Sequence, residues 1–145
     1  MSVLLIGRFD AGERDEWLTL LRAALPDETL VLEAHEGVDI AIVANPPPGA
    51  LQGLPKLALI QSLWAGVDRL LADASVPREV PIARMVDPAM NEAMAETALW
   101  AVLALQRDFF DYARQQAAGQ WQPHPQRRAQ EWPVLVLGRG QMGAT

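Results

Sequence analysis

At 145 residues and 50% hydrophobic composition, the chain carries enough apolar side chains for one globular core but not comfortably for two. Eighteen acidic against twelve basic residues leave a net charge of -6, which repels phosphate backbones and anionic bilayers, so neither nucleic acid nor a membrane is expected as a partner. The absence of cysteine excludes disulfides and thiolate chemistry and fits a cytoplasmic location.

In chain order, Ser2 to Gly7 is a short apolar run closed by glycine, followed by Asp10, which can cap a helix, and Glu13, which can reach back to it. A strand and then a helix are expected. In that helix Trp17, Leu18, Leu20, Leu21, Ala24 and Leu25 recur at helical spacing until Pro26 stops it. Strands are expected at Thr29 to Leu32 and Asp39 to Val43. Asn45-Pro46-Pro47-Pro48-Gly49 must be a stiff loop, because three prolines remove backbone donors and fix φ. Leu57 to Gln61 reads as a strand that runs into a glycine turn at Ser62 to Asp68, with a short helix at Val67 to Leu71 and one more strand at Pro81 to Arg84. Strands alternating with helices predict a parallel sheet covered on both faces.

Asp87 caps a helix with Pro88 at its first position, and no breaker follows until Gly119. The expectation is one long helix over about 88–118, roughly 45 Å long and suited to bridge two domains. Residues 120–132, with Pro123 and Pro125, have linker composition, and Val134 to Leu137 reads as a new strand. No apolar run reaches the roughly 18 residues of a membrane helix, since Glu96 and Thr97 interrupt the richest stretch. Val3 to Ile6 is too short for a signal-peptide core. Arg127-Arg128 is a solvated loop pair without the aromatic or basic company of a nucleic-acid patch.

Two segments carry candidate chemistry. After Val134 to Leu137, the run Gly138, Arg139, Gly140, Gln141, Met142, Gly143 has the G-x-G-x-x-G spacing of a dinucleotide-binding loop, whose glycines serve a tight turn, close approach to a pyrophosphate and close helix packing. The pattern alone is weakly specific, since any glycine-containing loop can produce it. The second segment is Ser62 to Asp68, where a glycine at the carboxyl end of a parallel strand can expose backbone amides to a ligand. On spacing alone it is equally an ordinary strand-to-helix turn. His35 and His124 sit in separate segments and read as solvated, and two histidines without cysteine argue against a zinc site. Glu92 and Glu96 share a helical face, but acid-base work would need a desolvated cleft.

Asn45-Pro46-Pro47-Pro48, Leu63-Trp64-Ala65-Gly66-Val67-Asp68, Met94-Ala95-Glu96, Phe110-Asp111-Tyr112, Gln115-Gln116, Trp121-Gln122-Pro123 and the glycine fingerprint occur in an order and spacing that resembles the D-2-hydroxyacid dehydrogenases, in their glyoxylate/hydroxypyruvate reductase branch. The resemblance spans nearly the whole chain and only the N-terminal portion of such an enzyme. It implies a flavodoxin-like parallel sheet forming a substrate domain over 1–119, including the long interdomain helix, a linker over 120–132, and the first strand of a truncated Rossmann domain over 133–145. It further implies a homodimeric reductase of a small 2-keto acid with NADP, or NAD, in the interdomain cleft. By the same carry-over, Trp64, Ala65, Gly66 and Val67 bind the substrate carboxylate, Asn45 walls the pocket, Met94 lies near the nicotinamide, and Glu96 makes an interdomain hydrogen bond. Plain core packing accounts for Met94 equally well. The arginine, glutamate and histidine that such enzymes use in catalysis follow the fingerprint, so no catalytic residue is expected here and the chain alone should be inactive. A stand-alone flavodoxin-like binding or dimerisation module is the competing expectation. A response-regulator receiver is discarded, because Asn45 and its prolines stand where a phosphorylated aspartate is needed.

Overall fold

Alternation along two strands decides the architecture of the first part of the chain. In the computed structural model, which describes residues 1–145, Leu4, Ala41 and Val43 enter one apolar cluster while Val3, Leu5 and Ile42 enter another. Successive side chains of a strand point to opposite faces, so both faces of the sheet are buried, as a parallel sheet requires. The elements are β1 (Ser2–Gly7), α1 (Ala11–Ala24), β2 (Thr29–Val31), β3 (Ile40–Ala44), β4 (Leu59–Ser62), α2 (Asp68–Ala72) and β5 (Ile82–Ala83). All neighbouring strands pair in parallel, in the order β2-β1-β3-β4-β5. This is the order of the flavodoxin-like sheet that the resemblance implies.

Asp10 caps α1 by accepting the Glu13 amide at 2.8 Å. Of the six apolar positions read from its periodicity, Trp17, Leu18, Leu21 and Leu25 face the Val3/Leu5 side of the sheet, whereas Leu20 and Ala24 are exposed. The other face is covered by Leu70 of α2 and by Leu51, Leu54 and Leu57 from the segment before β4. Gly7 is required where β1 meets β3, because a β-carbon there would lie 2.5 Å from the Ala44 carbonyl oxygen and 2.9 Å from its amide nitrogen.

The chain groups into two compact units, Met1–Val86 and Asp87–Thr145. The second corrects two expectations. The single helix over about 88–118 is two helices, α3 (Pro88–Gln106) and α4 (Phe109–Ala117), separated at Asp108, whose φ of 54° is left-handed. Aspartate tolerates that conformation better than most residues, and here its carboxylate lies 3.3 Å from His124 Nδ1. The Tyr112 hydroxyl also accepts the His124 amide at 2.8 Å, so the linker fastens the break. The expected ends of the helical region are present: Asp87 accepts the Ala89 amide at 3.0 Å, and Gly119 at φ 64° closes α4, with Gln120 donating to Gln115. Residues 120–132 are irregular apart from one 3₁₀ turn at Ala129–Glu131. The second correction is the strand at Val134 to Leu137. No strand forms there, and the four side chains are 61–89% exposed. A strand exists only through a partner's hydrogen bonds, and no segment of the unit supplies one.

Gly7→Ala should lower the stability of the sheet by about 1–3 kcal/mol, since the clash is with backbone on the neighbouring strand. Thermal unfolding would report it, and an unchanged midpoint would show that Ala44 gives way freely.

Candidate substrate site at the carboxyl edge of the sheet

The chain leaves β1 to form β2 on one side and then crosses to β3 on the other, so strand order reverses between β1 and β3. Open parallel sheets bind ligands outside the carboxyl ends of their strands at such a reversal. Here the Arg8 amide donates to the Ala44 carbonyl at 2.9 Å, which holds the two strand ends together. Asn45 then turns the chain through a left-handed conformation, φ 47°, that asparagine accepts more readily than most side chains. Beyond it opens a cleft of about 440 Å³ whose lining includes Arg8, Asn45, Pro46, Pro48, Arg69 and Asp73.

One wall of this cleft is knitted by a small hydrogen-bond chain. Asp73 accepts from the Ser75 hydroxyl at 2.6 Å and from the Ser75 amide at 2.9 Å, and Ser75 Oγ accepts the Gly49 amide at 2.9 Å. The loop after β3 is thereby tied to the segment after α2. The hydrogen bond from the Ser75 hydroxyl, with that from its amide, holds the Asp73 carboxyl below its ordinary value of 3.8.

The segment after β4 is organised by a buried hydroxyl. Ser62, 2% exposed, accepts the Trp64 amide at 3.1 Å through Oγ and donates to the Trp64 carbonyl at 3.1 Å. Leu63 donates to Val43 at 2.9 Å and Met85 donates to Trp64 at 3.3 Å, so the start of the loop is fixed from β3 and from beyond β5 as well. The next three amides, of Ala65, Gly66 and Val67, donate to nothing in the chain. Val67 packs on the core, while Gly66 is exposed and a β-carbon on it would meet only Asp68 Oδ2, at 3.7 Å. Internal packing does not demand glycine at this position, whereas close approach of a ligand would. The loop therefore presents successive N–H groups suited to a carboxylate.

The remaining candidates belong to the second unit. Met94 is 44% exposed on α3. Glu92 and Glu96 are exposed and form no hydrogen bond within the chain, so they offer no desolvated acid-base pair. The glycine segment does turn tightly: Gly138 has φ 90°, a β-carbon on Gly143 would fall on the Gly138 carbonyl oxygen, and the Ala144 amide donates to Gly140 at 3.0 Å. Arg139, Gln141 and Met142 project from this turn, exposed. His124 is half-buried against Tyr112 and Asp108 and is not the freely solvated residue expected. Its ring nitrogen and the Asp108 and Asp111 carboxylates come within 4.8 Å of one another, a spacing a metal ion could use, but Asp111 already pairs with Arg114. His35 is exposed and accepts the Gly37 amide at 3.0 Å through Nδ1.

Sequence reasoning singled out Asn45 and the segment Ser62 to Asp68, without the organising role of Ser62, and missed Arg8, Arg69 and Asp73. Arg8 alone had a signal, as the residue that follows the glycine ending β1.

Ser62→Ala should cost about 1–3 kcal/mol by unpinning Trp64 and should speed hydrogen exchange at the Trp64 amide; unchanged exchange there would show that the loop is held without the hydroxyl. For Asp73, a carboxyl lowered in the folded state contributes stability that is fully present above the ordinary value of 3.8 and is lost as pH falls through the lowered one. Asp73→Asn should flatten the acid limb of the stability profile below about pH 4, and a superimposable limb would remove Asp73 from it.

No family model matches the chain. It is 38% identical over 137 residues, 88% of its length, to a glyoxylate/hydroxypyruvate reductase A of Klebsiella pneumoniae subsp. pneumoniae, covering 43% of that protein. The corresponding figures for the protein of that name from Escherichia fergusonii are 34% identity, 88% and 43%. Among solved structures, a D-isomer specific 2-hydroxyacid dehydrogenase from Xanthobacter autotrophicus Py2, in complex with NADPH and MES, superposes with a TM-score of 0.85 at 35% identity, over 99% of this chain and 47% of that one. An NADPH-dependent glyoxylate/hydroxypyruvate reductase from Sinorhizobium meliloti, in complex with NADP and sulfate, gives 0.81 at 25% identity, over 98% and 46%. The chain thus spans less than half the length of these relatives. Along most of its length, and with a parallel sheet, the chain resembles the D-isomer specific 2-hydroxyacid dehydrogenases, among them the glyoxylate/hydroxypyruvate reductases.

Proposed function

We propose that this chain is the substrate-binding portion of an NADP-dependent reductase of small 2-keto acids such as glyoxylate and hydroxypyruvate. The observation that carries the reading is the loop after β4, where Ser62 pins Trp64 and leaves the amides of Ala65, Gly66 and Val67 without acceptors at the carboxyl edge of the sheet. A keto-acid carboxylate seated on these amides is oriented by fixed dipoles, and Trp64 and Asn45 wall the site. The nicotinamide cofactor, when bound, supplies the hydride. Gly138, Gly140 and Gly143 are assigned to its pyrophosphate, since a β-carbon at Gly140 would meet no atom of the chain within 4 Å and only a ligand's approach would call for glycine there, and Arg139, Gln141 and Met142 project beside them. Met94 is assigned to the nicotinamide. NADP is preferred over NAD because the related structures from Xanthobacter and Sinorhizobium hold NADPH or NADP.

The same reading assigns residues 1–119 to the substrate domain, 120–132 to a linker and 133–145 to the opening of the cofactor domain. The compact units divide between Val86 and Asp87 and not at residue 119, so this assignment rests on the resemblance. No helix is long and apolar enough to cross a membrane, and the reading places the protein in the cytoplasm. Leu99, Trp100, Leu103, Leu105, Phe109 and Phe110 are 42–65% exposed along α3 and α4, an apolar surface suited to a homodimer.

By the resemblance, the catalytic arginine, glutamate and histidine follow the glycine fingerprint, so the 145-residue chain alone should oxidise no NADPH with glyoxylate. The polypeptide made by the source organism, purified under denaturing conditions, should have about twice the mass of 15.9 kDa. In native form it should reduce glyoxylate or hydroxypyruvate with NADPH. Turnover by the 145-residue chain itself, or a native polypeptide without reductase activity, would overturn the assignment.

A further inference from the structure

Residues 122–126 fold back along α4 as a strap held by side chains. The Gln122 amide donates to Gln115 Oε1 at 2.9 Å, the His124 amide donates to the Tyr112 hydroxyl at 2.8 Å, and the Gln126 side-chain amide reaches the same hydroxyl at 3.4 Å. The imidazole of His124 lies between strap and helix, its ring centre 5.2 Å from that of Tyr112. Its Nε2 is 3.2 Å from Gln115 Nε2, and its Nδ1 is 3.3 Å from Asp108 Oδ2.

One backbone donor fixes where the protons of this cluster sit. An N–H cannot accept, so the Gln115 atom facing the Gln122 amide must be the carbonyl oxygen, which leaves the Gln115 NH2 group facing the ring. That group only donates, so His124 Nε2 must be bare and the ring proton sits on Nδ1, towards the Asp108 carboxylate. Neutral His124 thus satisfies both neighbours. A second proton has only Nε2 to go to, where it meets the N–H bonds of Gln115. Turning the Gln115 amide over would relieve the ring but set NH2 against the Gln122 N–H, so a strap bond is lost either way.

The charges around the ring do not offset that loss. Asp108 attracts an imidazolium, but the two side chains are 33% and 36% exposed and water screens the pair. Asp111, the second carboxylate near the ring, is paired with Arg114. Arg127, stacked on Trp132, lines the same cavity as His124, and Arg107 reaches Gln126 at 3.4 Å, so both add positive charge beside the ring. Glu131 of the same segment is turned onto the Arg128 amide.

We infer that His124 is a pH-sensitive latch: neutral, it holds the strap on α4, and protonated, it releases it. Carboxylates and guanidinium groups ordinarily keep their charge between about pH 5 and 8, the range in which histidine changes its own. The other histidine, His35, belongs to the first unit. The strap runs on towards Val134 to Leu137 and the glycine segment, so its release unfastens the chain leading to them from α4.

NMR of the 145-residue chain tests the latch. At about pH 8 the long-range proton–nitrogen correlations of His124 should place its proton on Nδ1, and a proton on Nε2 would overturn the inference. At about pH 5.5 the Gln122 and His124 backbone amides should have lost about tenfold of their protection from exchange with water, corrected for the intrinsic effect of pH. The Leu18 amide of α1 should keep its own protection, as the check on folding. Protection at Gln122 and His124 that is absent at the higher pH, or retained at the lower, would also overturn it. In Gln115→Glu, a carboxylate can accept from the Gln122 amide and from protonated Nε2 alike, so acidification should tighten the strap where it loosens the unaltered chain. Loosening of this variant to the same extent would show that the ring is not the group that responds.

Discussion

The burial of β3 on both faces is the constraint from which the rest of the first unit follows. Ala41, Ile42, Val43 and Ala44 are all within the core, and the backbone on either side is paired in parallel with β1 and β4. A strand so enclosed cannot slip, because a one-residue shift would exchange the residues of its two apolar faces. Its end is equally fixed, and Gly7 against Ala44 leaves no room between the carboxyl ends of β1 and β3. The cleft thus begins at a defined place, beyond Arg8 and Asn45, and not at a variable distance along the strands.

From that edge the site is built by polar groups that hold the loops and leave a few donors spare. Ser62 occupies both polar groups of Trp64, and Asp73 with Ser75 ties the proline loop to the segment after α2. What remains unpaired within the chain is a run of three amides and two guanidinium groups, with Gly66, Arg8 and Arg69 exposed and Ala65 and Val67 partly so. Unpaired donors there cost little in the absence of a ligand, since water satisfies them, and they need little reorganisation when a ligand displaces it. Rigid loops with spare donors are what separates an anion-binding edge from an ordinary set of strand-to-helix turns.

Most of the first unit was legible because its signals are local and agree with one another. Apolar runs closed by glycine or proline marked four of the strands to within a residue or two, and the Asp10 and Asp87 caps were read directly from residue type. The loop at Trp64–Val67 was found through its glycine and its resemblance to a family, but not the serine that organises it, since nothing in a sequence marks a hydroxyl as buried. Arg8 and Arg69 are far apart in sequence and meet in one cleft only because strand order reverses between β1 and β3. The break at Asp108 escaped for a related reason: aspartate is no helix breaker by propensity, and the left-handed turn is fastened by His124 of the 120–132 segment, itself held by the Tyr112 hydroxyl of α4.

The glycine segment shows most sharply where local and non-local information part. Its turn forms from residues within a few positions of one another, with Gly143 against Gly138 and Ala144 bonded to Gly140, so the glycine spacing suffices to specify it. The four apolar residues before it have a strand's composition but not a strand's structure, because a ladder needs a second backbone and a strand's side chains need a surface to cover. Apolar composition at Val134 to Leu137 is therefore a statement about what would bury them. A sheet in register with that segment would remove four exposed side chains from water and place the already formed turn at its carboxyl edge, the same relation that Asn45 bears to β3. The glycine segment and the Asn45 edge would then each follow one rule: parallel strands set the edge, and glycine- or asparagine-mediated turns just beyond it present backbone donors to an anion.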